Sequence, residues 1–229
     1  MRKLLVAAVV CMTFGMGVCH ENEVDAQSIK RIGNTVRIEL TDWSDNVRIK
    51  RSISRVGNTI SLEFPLQVPR SVSGAGVTNI RINAKSGKDT MVFYGTWGDI
   101  SATIFCGPGN DYVDLGSCAG GYVYGEAGDD TIFGTEGHDR LEGGDGRDSL
   151  FGLGGFDILR GGKGKDLVSG GDGNDWIKAG TGEGESGVWG GNGADLFYVL
   201  PDHWMMAFQY PNDFNGLEGD HLLSNSYNP

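Results

Sequence analysis

Seven times between residues 125 and 198 the chain repeats one nine-residue phrase. It reads glycine, usually a second glycine, any residue, glycine, any residue, aspartate, any residue, a large apolar residue, any residue. The copies at 143–151 (GGDGRDSLF), 161–169 (GGKGKDLVS), 170–178 (GGDGNDWIK) and 190–198 (GGNGADLFY) are complete, and those at 125–133, 134–142 and 152–160 lose only the second glycine. A tandem period this short leaves the chain one way to fold, which is to stack on itself. The first six positions suit a tight turn, because glycine alone takes positive φ cheaply. The last three set one apolar side chain between two outward ones, the alternation of a very short strand. The inward position holds Ile132, Leu141, Leu150, Leu159, Val168, Ile177 and Phe197. A three-residue strand cannot stand alone, so two units make one coil and residues eighteen apart stack.

That geometry sorts the aspartates into two columns. Asp130, Asp148 and Asp166 run along one edge, and Asp139, Asp157 and Asp175 along the other. Asp195 continues the second column after a two-residue insertion within 179–189, and Asp111 continues the first upstream after a one-residue insertion near Leu115. Stacked strands lie about 4.8 Å apart, so piled carboxylates repel unless something positive sits between them. Hard oxygen ligands on flexible turns, with free carbonyls and no Cys or His at matching positions, select calcium over zinc.

The segment 106–198 resembles the hemolysin-type (RTX) calcium-binding nonapeptide repeat. The resemblance implies an all-β chain whose main part is a parallel β-roll, an RTX solenoid. It implies several calcium ions between successive turns, held by sixth-position aspartates and turn carbonyls. Carried over residue by residue, the ligands are Asp111, Asp130, Asp139, Asp148, Asp157, Asp166, Asp175 and Asp195. The carbonyls are those of Gly144, Gly146, Gly162, Gly164, Gly171, Gly173, Gly191 and Gly193. The geometry of such repeats implies roughly four to six ions with oxygen coordination. Two stretches depart from the pattern: 116–124 has Gly121 where the aspartate belongs, and 179–189 offers Glu183, Glu185 and Ser186.

Charge follows the repeats. The chain has a net charge of −11, and residues 106–198 alone carry 17 acidic and 6 basic side chains. Residues 27–105 carry 11 basic and 6 acidic ones with no clustered run. An acidic coil repels phosphate, which excludes nucleic acid as a partner. Residues 1–26 read as a signal peptide: a basic start at 1–3, an apolar stretch at 4–18, and Val24-Asp25-Ala26 as a cleavage site. Fifteen apolar residues are short for a membrane span, and no other stretch is apolar enough to be one. Export to the cell envelope or medium is the expectation. Cys19 raises lipidation as an alternative, although Gly17-Val18 before it is a poor lipobox. Cleavage after Ala26 leaves Cys106 and Cys118, an even pair that an exported chain can join. In regular register the two sit on opposite edges, so pairing stays open.

Before the repeats, 28–40 (SIKRIGNTVRIEL) and 52–64 (SISRVGNTISLEF) match at a period of 24. Each has Gly-Asn between β-type residues, the signal of a two-residue hairpin turn. Residues 27–78 are therefore expected as a small antiparallel β region that covers the open end of the roll. Residues 79–105 are expected as degenerate solenoid turns, in which Ser86-Gly87-Lys88-Asp89 imitates the binding turn. Residues 199–229, with Asp213-Phe214-Asn215 and Gly219-Asp220-His221-Leu222-Leu223, resemble the closing cap of such rolls.

No catalytic constellation emerges. His20, His138, His203 and His221 show no His-Glu-x-x-His spacing, and no Gly-x-Ser-x-Gly elbow occurs. The leading expectation is an exported, non-enzymatic calcium-binding protein. An alternative is a calcium-dependent adhesin or matrix component that binds cell-surface polysaccharide or protein. It rests on outward residues that should align: Ile158, Trp176 and Leu196 beside Arg160 and Lys178 on one sheet, Phe133 and Phe151 on the other. The terminal segments could instead fold over that stripe, with Trp204 and Phe208 near. An accessory role in polysaccharide lysis or epimerisation is a more distant third reading.

Overall fold

A computed structural model describes residues 28–40, 42, 46–54, 57–63, 70–95, 97–116, 118–178, 180–181, 187–199 and 221–224. The segments read as signal peptide and most of the C-terminal cap, together with Glu183, Glu185, Ser186, Trp204 and Phe208, lie outside them. Among the described residues there are nineteen strands and no helix, hence none long and apolar enough to cross a membrane.

Two sheets face each other. The first contains β1 (Ser28–Ile32), β2 (Thr35–Glu39), β6 (Asn79–Asn83), β8 (Ser101–Pro108), β10 (Gly120–Ala127), β12 (Arg140–Asp145), β14 (Ile158–Lys163), β16 (Trp176–Lys178), β18 (Leu196–Val199) and β19 (His221–Ser224), in that order. The second runs, from its far end, β17 (Gly187–Asn192), β15 (Leu167–Asp172), β13 (Ser149–Gly154), β11 (Thr131–Thr135), β9 (Tyr112–Asp114), β7 (Thr90–Gly95), β3 (Asn46–Ser54), β4 (Gly57–Glu63) and β5 (Arg70–Ser73). The chain alternates between the sheets at every repeat, which makes a parallel solenoid of two-strand coils.

The registers follow the eighteen-residue period. Val123, Leu141, Leu159, Ile177 and Phe197 are successive partners along the first sheet, and Val113, Ile132, Leu150, Val168 and Val188 along the second. All of them are buried. Each such side chain contributes about 1.5–3 kcal/mol when withdrawn from water. The upstream rungs are wider. Ile80 and Ile82 both point inward from β6, Met91 and Phe93 from β7, and Ala102, Ile104 and Cys106 from β8. Trp97 is fully buried beside them and donates its indole N–H to the Tyr94 carbonyl at 2.9 Å.

The expected antiparallel region is present, but it is not a separate sheet. β1–β2 and β3–β4–β5 pair antiparallel, while β2 joins β6 and β3 joins β7 in parallel, so these strands extend the two solenoid sheets. Gly33-Asn34 connects β1 to β2 as the sequence predicts, with Gly33 at φ 63°. The second Gly-Asn behaves differently. Ser54 pairs with Gly57 and Ile53 with Asn58, so Gly57-Asn58 lies within β4. The cross-strand partners set the register there and override the local turn signal. At the other end β19 pairs parallel with β18 and adds one more rung.

Candidate metal centre

Each complete copy of the phrase places two glycines in the left-handed region. Gly162 has φ 112° and Gly164 has φ 131°. A Cβ on Gly162 would stand 2.0 Å from the Gly144 carbonyl oxygen, and one on Gly164 would stand 1.6 Å from that of Gly146. Gly171, Gly173, Gly191 and Gly193 are set in the same way over the turns beneath them. The carbonyls of the second and fourth positions therefore face the next turn with no side chain between. Where the second glycine is lost, Glu126 (φ 77°) and Leu153 (φ 80°) still take the left-handed conformation, and Lys85 (φ 71°) does so in the degenerate turn. The turn dictates the backbone there, at a cost to the side chain.

The aspartates form the two expected columns, buried to within 4 % of full occlusion. They are tied by main-chain amides. The N–H of Asp130 donates to Asp148 Oδ1 at 2.9 Å, that of Asp148 to Asp166 Oδ1 at 3.0 Å, and that of Asp111 to Asp130 Oδ1 at 2.8 Å. On the other edge the N–H groups of Asp139, Asp157 and Asp175 donate to Asp157, Asp175 and Asp195 Oδ1 at 2.8, 2.9 and 2.8 Å. Asp89 enters the first column through its N–H to Asp111 Oδ1 at 2.7 Å, so the 86–89 turn is part of the same ladder. The repulsion expected between stacked carboxylates is thus relieved at one oxygen by an amide dipole.

The other oxygen is not provided for. Oδ2 of Asp111, Asp130, Asp148, Asp157 and Asp175 is buried with no hydrogen-bond donor. Except at Asp111, whose turn begins with Cys106, the first glycine of the turn leaves it room. A Cβ on Gly143 would lie 2.3 Å from Asp148 Oδ2 and 2.5 Å from the Gly161 carbonyl oxygen, and one on Gly170 would lie 2.1 Å from Asp175 Oδ2 and 2.5 Å from that of Gly190. Carboxylate and carbonyl oxygens from successive turns therefore share spaces that any side chain would fill. Such all-oxygen surroundings fit a hard divalent cation. Among the described residues no three Asp, Glu, His or Cys side chains converge, so carbonyls would have to complete any coordination.

Burial drives the carboxyl pKa values up. Asp130 rises to about 7 and Asp157 to about 8, chiefly by desolvation, with charge from neighbouring aspartates adding and the ladder amides opposing. Asp111, Asp148 and Asp175 rise to about 6 for the same leading reason. Without a metal, the proton is the counter-ion these sites accept.

Asp139 departs from the pattern. Its Oδ1 accepts the N–H of Gly121 at 2.5 Å, and its Oδ2 accepts both the N–H and the hydroxyl of Thr135, at 2.6 and 3.0 Å. Nothing in the nine-residue phrase signals this. Thr135 reads as one more lost glycine, and only its buried position reveals its role.

Cys106 and Cys118 are both buried free thiols, and burial pushes Cys118 up to about 12. His138 is exposed, and its Nδ1 accepts the Phe156 N–H at 2.7 Å. The outward stripes align as expected. Ile158, Trp176 and Leu196 are register partners, as are Arg160, Lys178 and Tyr198, and Phe133 stacks on Phe151 with ring centroids 4.7 Å apart. On the turn surface Arg147 pairs with Asp129 at 3.1 Å and Lys163 with Asp145 at 2.9 Å, which ties successive turns where no ion is needed.

The family model of the RTX calcium-binding nonapeptide repeat, in four copies, matches residues 124–159 and 151–184. The matched stretch is the centre of both aspartate columns. No curated protein matches the chain.

Proposed function

We propose that the RTX calcium-binding nonapeptide repeats of this chain load calcium between successive turns, and that the protein is an exported, non-enzymatic scaffold whose repeats fold as the ions bind. The observation that carries the reading is the set of buried Oδ2 atoms at Asp130, Asp148, Asp157 and Asp175 that no donor meets. A buried unpaired acceptor costs about 1–3 kcal/mol, and more if charged. Four of them are intolerable in a fold stabilised by only about 5–15 kcal/mol. A divalent cation removes that cost along whole columns. Asp111, Asp130, Asp148, Asp157, Asp166, Asp175 and Asp195 would supply the charge, and the carbonyls of residues such as Gly144, Gly162, Gly171 and Gly191 the neutral oxygens.

Extracellular calcium modules bind at about 10⁻⁴ to 10⁻³ M. Such a coil would stay open in a calcium-poor cytosol and close outside, because a ligand that binds only the native state stabilises it. The basic start and apolar stretch of residues 1–18 support that route. Calorimetric titration of the full chain, followed in parallel by circular dichroism, tests the proposal. Cooperative uptake with a gain of β signal is expected. A chain that takes up no calcium refutes it, and a chain fully β in chelator refutes the coupling to folding.

A second reading is adhesion to glycans through the first sheet. Arg160 lies over Trp176 and Lys178 over Tyr198, each with 5.3 Å from cation to ring centroid, and neither cation makes an ion pair among the described residues. Glycan-array binding that appears only with calcium, and that Trp176→Ala abolishes, would support it.

A further inference from the structure

We infer that the solenoid is built in two parts, a base up to residue 139 that orders without calcium and a stack beyond it that requires calcium, with Thr135 closing the base where a repeat of the usual form would leave an oxygen for an ion. The inference rests on the calcium reading above and adds to it where loading begins.

Two independent observations lead to it. The first is the hydrogen bonding of the 134–139 turn. The Thr135 hydroxyl accepts the N–H of Gly137 at 2.9 Å and donates to Asp139 Oδ2 at 3.0 Å, while the Thr135 N–H reaches the same oxygen at 2.6 Å. With Gly121 on Oδ1, both oxygens of Asp139 have donors. Asp157 and Asp175, next along the same column, each keep one oxygen without any. Thr135 is fully buried, and it avoids the left-handed conformation that Glu126 and Leu153 adopt at the equivalent position. A threonine that supplies two donors substitutes for a cation and leaves no vacant oxygen to bind one.

The second observation is the distribution of the core. Upstream, Ile80 with Ile82, Met91 with Phe93, and Ala102 with Ile104 and Cys106 are buried together on single strands, and Trp97, Ile100 and Leu115 are fully buried beside them. From Leu141 to Val188 each repeat buries a single Val, Leu or Ile, as the repeat of Ile132 does at the margin of the base. One aliphatic side chain does not offset the conformational entropy of nine ordered residues. The upstream rungs, with two inward residues per strand and an indole between them, have the apolar burial to hold together. Asp111 and Asp130 each bring one donorless oxygen into this base, and the larger core bears that cost. The base is then a template on which each downstream turn can add as its ion arrives, so the stack grows from its N-terminal side.

Hydrogen exchange of the full chain, in chelator and in saturating calcium, tests the inference. In chelator, amides of β6, β8 and β10 should exchange at least about tenfold more slowly than those of β13, β14 and β15, and calcium should protect both groups. Thr135→Gly restores the repeat phrase. It should take up one further ion in a calorimetric titration and lose the chelator-resistant protection of β10 and β11. Thr135→Ser keeps the hydroxyl and should behave as the parent chain does. Equal exchange of the two parts in chelator, in a protein that still binds calcium, overturns the inference alone. So does a Thr135→Gly variant with unchanged stoichiometry and protection. Failure of the parent chain to bind calcium overturns the underlying reading, and this inference with it.

Discussion

Replacing Asp157 with asparagine should change stability in opposite directions with and without calcium. Asp157 is fully buried; its Oδ1 accepts the Asp139 N–H at 2.8 Å, and its Oδ2 has no donor. Next to Oδ2 lies the Gly170 carbonyl oxygen, each within 2.4 Å of where a Cβ on Gly152 would stand. Asparagine keeps the acceptor at Oδ1, removes the charge, and presents an amide N–H₂ to that carbonyl. In chelator the change relieves an unpaired buried acceptor, about 1–3 kcal/mol of stabilisation. In calcium, on the loading proposed above, it removes a charged ligand. Loss of one site filled at a hundred times its Kd forfeits about 2.7 kcal/mol. For a chain of this size that corresponds to roughly 5–10 °C in the thermal midpoint. The assay is thermal unfolding by circular dichroism in saturating calcium, combined with hydrogen exchange of residues 158–178 in chelator. The midpoint should fall in calcium, and exchange should slow in chelator. A variant destabilised under both conditions would mean that Asp157 acts through its shape or the ladder bond alone, and the reasoning about its second oxygen would fail.

Other outcomes follow from the same geometry. Because Asp130, Asp148, Asp157 and Asp175 have folded-state pKa values of about 6 to 8, above the ordinary 3.8, the folded chain holds protons that the unfolded chain releases. That stabilisation is complete below about pH 4 and lost as pH rises through about 6 to 8. In chelator the repeats should therefore keep their β signal near pH 4.5 and lose it by pH 8, and calcium should abolish the loss; a chelated protein more ordered at pH 8 would contradict this. Gly164→Ala, whose Cβ would stand 1.6 Å from the Gly146 carbonyl oxygen, should prevent calcium-driven folding of the neighbouring rungs. Gly33→Ala, at φ 63° with nothing within 4 Å, should cost only about 1 kcal/mol by thermal unfolding. Leu153→Gly should raise stability in calcium by up to about 1 kcal/mol, since Leu153 is 41 % exposed and held at φ 80°; a fall in midpoint would mean that its side chain packs more than its exposure suggests.

The nine-residue phrase by itself determined the architecture of the repeats. A period of eighteen per coil assigns the inward side chains from Ile132 to Ile177, and Phe197 beyond the insertion, and sorts the aspartates into columns, because strand stacking allows only one register per repeat; Val188, inside the departing stretch, emerged only from the structure. Asp111 could be joined to its column across a one-residue insertion, as its amide bond to Asp130 bears out. Which carbonyls face the next turn was legible for the same reason, since glycine turns expose them wherever they occur. Three matters required the tertiary structure. The N-terminal hairpins merge with the solenoid sheets, because the outer edges of β6 and β7 bind whichever strand meets them, and no local pattern encodes that partner. Gly57-Asn58 lies inside a strand, because pairing over the length of β3 and β4 outweighs one turn preference. Thr135 holds Asp139, because a threonine four residues before an aspartate is commonplace until the fold buries the two together and excludes water as the competing donor. A short repeat specifies what recurs; the departures acquire meaning only from the neighbours that stacking brings against them.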